Sequence, residues 1–390
     1  MTVPAPRVRR RPRTRGRLLP LLLSIALLLP VALLTVQAHR LVDADREVVE
    51  RERLGVEYLR ALAPVTEALV NAQSAAVARR PLPRQVLEQA IEQVAAVDAR
   101  IGGELRTGER WAGVRAKLEA LPERSLTDPE AAFAAYREVT DLLLALHTKV
   151  RESSGLIRDA GADSHFLQDG VGEEMPEALV AAGRLTDLAM LIERRAATEQ
   201  LRSFGELAAH RVAALQPASD LVNNLRAVMD SSESADLGAN VLSSFDAYQR
   251  GVEAMALTSQ PDQTGKLDVV RLTGARLEAQ EAAKQLQPVL LDEIDRLLAE
   301  RLDELNRDNL LVLGAGGLAG LLLIALAVTI WMSHPRDNPG IVDAPGNEPE
   351  RAGSDRPSGS HWEQMAAQRP PVPVGQGHDP DRWRPFDAAR

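Results

Sequence analysis

Two uncharged runs, 18–36 and 310–332, restrict what this chain can fold into more than any other feature. The first, LLPLLLSIALLLPVALLTV, has 19 residues and follows RVRRRPRTRGR; the second, LLVLGAGGLAGLLLIALAVTIWM, has 23. At about 1.5 Å per residue, either run as a helix is long enough to cross a hydrocarbon core of about 30 Å. Seven arginines and no acid in residues 1–17 assign the N-terminus to the cytoplasmic side. A cleaved leader is the rival reading of the first run, with Val36, Gln37 and Ala38 as the cleavage signal. Its apolar stretch, however, exceeds the roughly 7–15 residues of a leader core. The expected division is a basic cytoplasmic N-terminus over 1–17, a transmembrane helix over 18–38, an extracytoplasmic part over 39–309, a second transmembrane helix over 310–332 and a cytoplasmic tail over 333–390. Such a chain is a multi-pass protein of the cell membrane with the lipid bilayer as its first partner. Within the second run, Gly316 and Gly320 form a GxxxG face that suits a homodimer, against the plainer explanation that glycine is common in membrane helices. Trp331 stands where an interfacial aromatic belongs.

The formal charge of −9 is unevenly spread: outside residues 1–17 and the tail, residues 18–332 carry about −14. An acidic domain repels nucleic acid, so no nucleic-acid partner is expected. There is no cysteine, which removes disulfides, thiolate metal sites and cysteine nucleophiles together. No HExxH, GxSxG or P-loop string occurs, so neither catalytic residues, a metal site nor a cofactor is expected.

Aromatic residues make up 3 % of the chain, while Ala, Leu, Glu and Arg recur throughout, which favours helix over strand. Leu54, Tyr58, Leu62, Val65 and Leu69 follow one another at spacings of three and four, the stripe of a long helix that Pro64 should bend. A second helix is expected over 85–121, weakened by Gly102, Gly103 and Gly108, and a third after the N-cap Asp128 with Pro129 in its first turn. Further helices follow from Asp163, over 198–229, over 237–257 and over 267–309, the last entering the second apolar run. The fold class is therefore all-α: two transmembrane helices flanking an elongated extracytoplasmic bundle whose two long helices pair antiparallel. The tail from Ser333, with ten prolines in 58 residues, reads as disordered.

Four strings carry a family resemblance: ERLGVEYLRALAPVTEAL, ARIGGELRTGERW, VRESSGLIRDAGADSHFLQDGV and LLDEIDRLLAERLDELNRDNLLVLGAGG. Their order and spacing resemble the extracytoplasmic sensor half of bacterial methyl-accepting chemotaxis receptors and related sensor histidine kinases. The resemblance covers about residues 18–332 and implies a helical domain that perceives a small solute and relays through helix displacement. Members of that family continue into a HAMP linker and an output module, whereas residues 333–390 have no heptad. The resemblance thus implies a receptor input half without its transmitter: a decoy, a sensor that signals through a separate cytoplasmic protein, or a relic retained for another role. The alternative is a cell-envelope scaffold that binds other proteins and no small molecule.

Two groups are candidate ligand contacts. Asp163, His165 and Asp169 form a dense polar cluster at the start of a helix, where capping competes with ligand contact. Arg106 and Arg110 flank Trp111 and would suit a small-anion pocket, unless the indole is simply packed in the core.

Overall fold

The computed structural model describes residues 15–121, 127–157, 162–231, 235–262 and 266–332, all of them helical or connecting, with no strand among the described residues. The basic segment over 1–14 and the tail from 333, expected to be disordered, lie outside the described residues.

Two helices dominate. α1 (Arg15–Val77) and α9 (Val269–Met332) run past each other in opposite directions. Their register is read from cross-helix pairs: Gly316 against Thr35, His39 with Asn309, Arg53 with Asp295, Arg60 with Asp292, Glu67 with Lys284, and Asn71 with Gln280. From Thr35 to Asn71 the chain climbs 36 positions (71 − 35) while α9 descends 36 (316 − 280), about 54 Å of continuous pairing.

The remaining helices pack on this pair. α2 (Arg84–Leu105) and α3 (Gly108–Ala120) replace the single helix expected over 85–121. The break comes at Arg106, left-handed with φ 53°, and at Thr107, whose buried hydroxyl donates to Asp98 at 2.8 Å. Tyr58 donates to the same Asp98 oxygen at 2.8 Å and so ties the break to α1. α4 (Pro129–Ser154) begins at Asp128, whose carboxylate accepts from the amides of Glu130 and Ala131, and ends on Gly155 at φ 93°. Asp128→Ala is expected to lower stability by about 1 kcal/mol in chemical denaturation.

α5 (Ala162–Asp169) and α6 (Met175–Glu193) are joined by a π-helical turn, Gly170–Glu174. Gly172 rests on the aliphatic stem of Arg151, where an added Cβ would come within 2.5 Å of its Cδ. α7 (Ala197–Ser231) and α8 (Ala235–Thr258) complete the bundle.

The main core runs through Leu59, Leu62 and Leu69 of α1, Leu143 and Leu146 of α4, and Leu286, Leu290 and Ile294 of α9. Burying each such side chain contributes roughly 1.5–3 kcal/mol. A smaller cluster joins Leu185 and Leu188 of α6 to Met255 of α8 and Leu272 of α9. At the far end of the α1/α9 pair the apolar runs stay uncovered, with Leu29, Leu34, Leu310, Leu321 and Met332 among the exposed side chains. Both helices are long and apolar enough to cross a membrane, by length and composition only.

Candidate functional site

Between α1 and α9, toward the Asn71/Gln280 end of their pairing, lies a cavity of about 360 Å³. Pro64 and Pro288 both line it, each lying inside its own helix. Proline lacks an amide hydrogen, and its ring crowds the carbonyl one turn back, so each helix has a weakened turn here, with both rings exposed at the cavity mouth. Val86 of α2 and Leu179 of α6 supply apolar wall, and Glu67, Asn71, Gln280 and Lys284 supply polar groups. At the rim, Arg60 pairs with Asp292 at 2.8 Å and Lys284 with Glu67 at 3.3 Å, so each cation has an acidic partner.

The cavity opens onto a buried polar layer through Gln280. Its amide nitrogen donates to Asn71 at 3.1 Å, and its oxygen accepts from Arg276 Nη1 at 2.8 Å. Beyond Arg276 lies Asp187 of α6, fully buried, whose Oδ2 accepts from Gln73 of α1 at 2.8 Å. Asp187 Oδ1 and Arg276 Nε have no hydrogen-bond partner. Burial pushes the Asp187 carboxyl up to about 6, with Gln73, Ser74 and the nearby Arg276 opposing, and burial lowers the Arg276 guanidinium. Three helices thus meet at a polar layer whose hydrogen bonding is incomplete and which touches a cavity. A buried polar group left without a partner costs about 1–3 kcal/mol, so such a layer gains from rearrangement when a neighbour changes.

A second cavity of about 300 Å³ lies between α4 and α6. Of its lining charges, Asp141 is engaged by Arg184 at 2.6 Å, and Arg195 pairs with Glu130 at 3.0 Å.

The residues singled out from the sequence fall elsewhere. Asp163 lies in the first turn of α5, and its side chain is outside the described residues. His165 and Asp169 do meet, at 3.3 Å. Asp169 and Glu173 also both pair with Arg151, which is buried. Trp111 is buried in the main core, while Arg106 and Arg110 are exposed, so these three do not converge on a pocket. An added Cβ at Gly316 would come within 2.5 Å of Thr35 of the same chain, and one at Gly320 would meet nothing within 4 Å. The cavity itself left two traces in the sequence, the prolines of the two long helices, which become partners only once the antiparallel register is known. Asp187 left another: it is the one acid in the string ALVAAGRLTDLAMLI.

No family model matches the chain, and no curated protein does. Among solved structures, the chain is similar to one described as the structure of the NasR transcription antiterminator. The match has 14 % identity and a TM-score of 0.46, over 76 % of this chain and 84 % of that one. At that distance the likeness carries no argument about activity, but the findings do correct several expectations. Membership of the chemotaxis-receptor and sensor-kinase family is overturned: the structural likeness is to a transcription antiterminator. The four strings that suggested the family are leucine- and arginine-rich amphipathic helix, a pattern many unrelated bundles share. The multi-pass membrane location, the extracytoplasmic placement of 39–309 and the bilayer as a partner are corrected with it. Two apolar helices meet a test of length and composition that leader segments and core helices also meet. The exclusion of nucleic acid is corrected too, since net charge over a whole domain does not describe any one face of it.

The chain has no cysteine, and no group of three or more His, Asp or Glu side chains among the described residues is placed to hold a metal ion.

Proposed function

We propose that this chain is a non-catalytic regulatory bundle that binds a small solute between α1 and α9 and passes occupancy along those two helices. The observation that carries this reading is the 360 Å³ cavity between them, apolar in its walls and met by polar side chains from both helices. The polar layer beside it supplies a second arrangement. A solute that takes the Asn71 oxygen releases Gln280, which frees Arg276 to turn toward Asp187. Because α1 and α9 are paired over about 54 Å, a shift at the cavity is passed along the pair toward its far end.

A scaffold reading is favoured by one observation, the uncovered apolar side chains at the outer ends of α1 and α9. A thermal-shift screen of the full chain against amines, organic acids, amino acids and divalent cations separates the two. A saturable rise in melting temperature with one chemical class supports solute binding, since preferential binding to the folded state produces it. A folded protein that responds to none supports the scaffold.

A further inference from the structure

We infer that Glu174 is a proton-operated latch: with a proton bound it lets α7 seat on the π-helical turn, and on ionising it loosens that seat. The latch shares no lining residue with the α1/α9 cavity. A π-turn carries one residue more than the helix around it, and here its two consecutive glutamates serve different neighbours. Glu173 pairs with Arg151 of α4, while Glu174 Oε1 accepts from Asn224 Nδ2 of α7 at 2.6 Å. Glu174 Oε2 is buried and no donor reaches it. A Cβ added at Gly170 would stand 2.7 Å from Leu221 Cδ1 and 3.8 Å from Glu174 Oε2, so the unpartnered oxygen and an apolar side chain of α7 flank the same glycine. A carboxylate oxygen held there without a donor is costly, and a neutral carboxyl far less so.

The surrounding charges favour the proton as well. Asp220 of α7, Asp169 at the end of α5 and Glu173 in the turn all oppose ionisation of Glu174, and Arg151 of α4 favours it. Arg151 is already shared, because it is buried and pairs with both Asp169 and Glu173. His165 is turned to Asp169 at 3.3 Å, Glu177 on the next turn is itself raised by burial and by Glu173, and the buried Tyr248 of α8 is held neutral by burial and by Glu174. Burial first, and then the three acids, raise the Glu174 carboxyl from 4.5 to about 7. Once the seat is loosened the carboxyl meets water and returns to its ordinary value. Between pH 4.5 and 7 the seated form therefore holds a proton that the loosened form has lost. Seating is strongest below that interval and weakens as pH rises through it.

The test is hydrogen exchange of the full chain at pH 5, 6, 7 and 8, corrected for the intrinsic pH dependence of exchange, for the wild type and Glu174→Gln. In the wild type, protection of the α7 amides over 220–228 is expected to fall as pH rises from 5 to 7 and then to level off. One proton sets the limit at about tenfold per pH unit, and the partial exposure of Glu174 brings the slope below it. Glutamine keeps an acceptor for Asn224 and cannot ionise, so Glu174→Gln should hold its α7 protection level across the range. Slopes that Asp187 and His147 impart to the whole fold are common to both proteins and cancel in the comparison. A wild-type profile without the fall, or the same fall in Glu174→Gln, overturns the latch. Should Glu174→Gln not fold, Asp220→Asn takes its place. Asp220 is exposed, and removing its charge should make α7 protection level off at a lower pH, whereas an unchanged profile overturns the inference.

Discussion

Gly251→Val is expected to destabilise the protein by about 3 kcal/mol, near the upper end of the overpacking range. At this position α8 crosses α9 so closely that an added Cβ would come within 2.7 Å of Ala279 Cα and 3.1 Å of its amide nitrogen. Backbone atoms cannot rotate aside as a side-chain tip can, so the helices must separate. That separation also opens the packing around Ala282, Ala283 and Leu286. Gly274→Ala on α9 is the control. Nothing lies within 4 Å of its site, and stability should rise by about 0.5–1 kcal/mol through helix propensity alone. Urea denaturation of both variants checks the pair. A neutral Gly251→Val would mean that α8 and α9 do not approach as described.

The second large effect is a compensated pH dependence. His147 is buried in the core with its Nδ1 unpartnered, and burial, helped by Arg151, lowers it from 6.5 to about 3. Below pH 6.5 the unfolded chain takes up a proton that the folded one refuses, so this group removes stability as pH falls toward 3. Asp187 acts the other way. Raised by burial from 3.8 to about 6, it holds a proton in the fold that the unfolded chain has already lost, so it adds stability as pH falls from 6 to 3.8. Glu174, raised to about 7 chiefly by burial, works in the same direction as Asp187 but less strongly, because it is partly exposed.

Between pH 6 and 4 the two fully buried groups oppose each other at about 1.4 kcal/mol per pH unit each. Removing either one uncovers the other. Over that interval Asp187→Asn should lose about 3 kcal/mol relative to the wild type, and His147→Gln should gain about 3 kcal/mol relative to it. Denaturation curves at pH 4, 5 and 6 measure both differences. Parallel pH profiles for all three proteins would show that neither group is buried in the state described.

The sequence made the helical architecture legible because its signals are local. Asp128 followed by Pro129 announces the start of α4, and the stripe from Leu54 to Leu69 announces the inner face of α1. The split between α2 and α3 was partly legible, since the glycines at 102, 103 and 108 weaken that stretch. The break itself depends on Thr107 and Tyr58 meeting at Asp98, a contact made across helices. The same distinction explains the candidate site. His165 and Asp169 are one helical turn apart, so their pairing could be anticipated, but Arg151, which pairs with Asp169 from α4, could not. Arg106 and Arg110 stand beside Trp111 in sequence, and helix geometry sends them to solvent while the indole turns inward. The cavity was hidden because Pro64 and Pro288 are far apart in the chain and become neighbours only through the register of the long pair.

The most direct measurement of the central claim is the ligand-induced thermal shift of Ala63→Trp beside that of the wild type. Ala63 lines the cavity and is half-buried, so an indole there fills the space from the α1 wall without entering the main core. The variant is expected to melt close to the unliganded wild type and to lose the saturable shift that the wild type shows with its solute. A folded Ala63→Trp protein that responds to the solute as the wild type does would place binding outside the α1–α9 cavity and contradict the account.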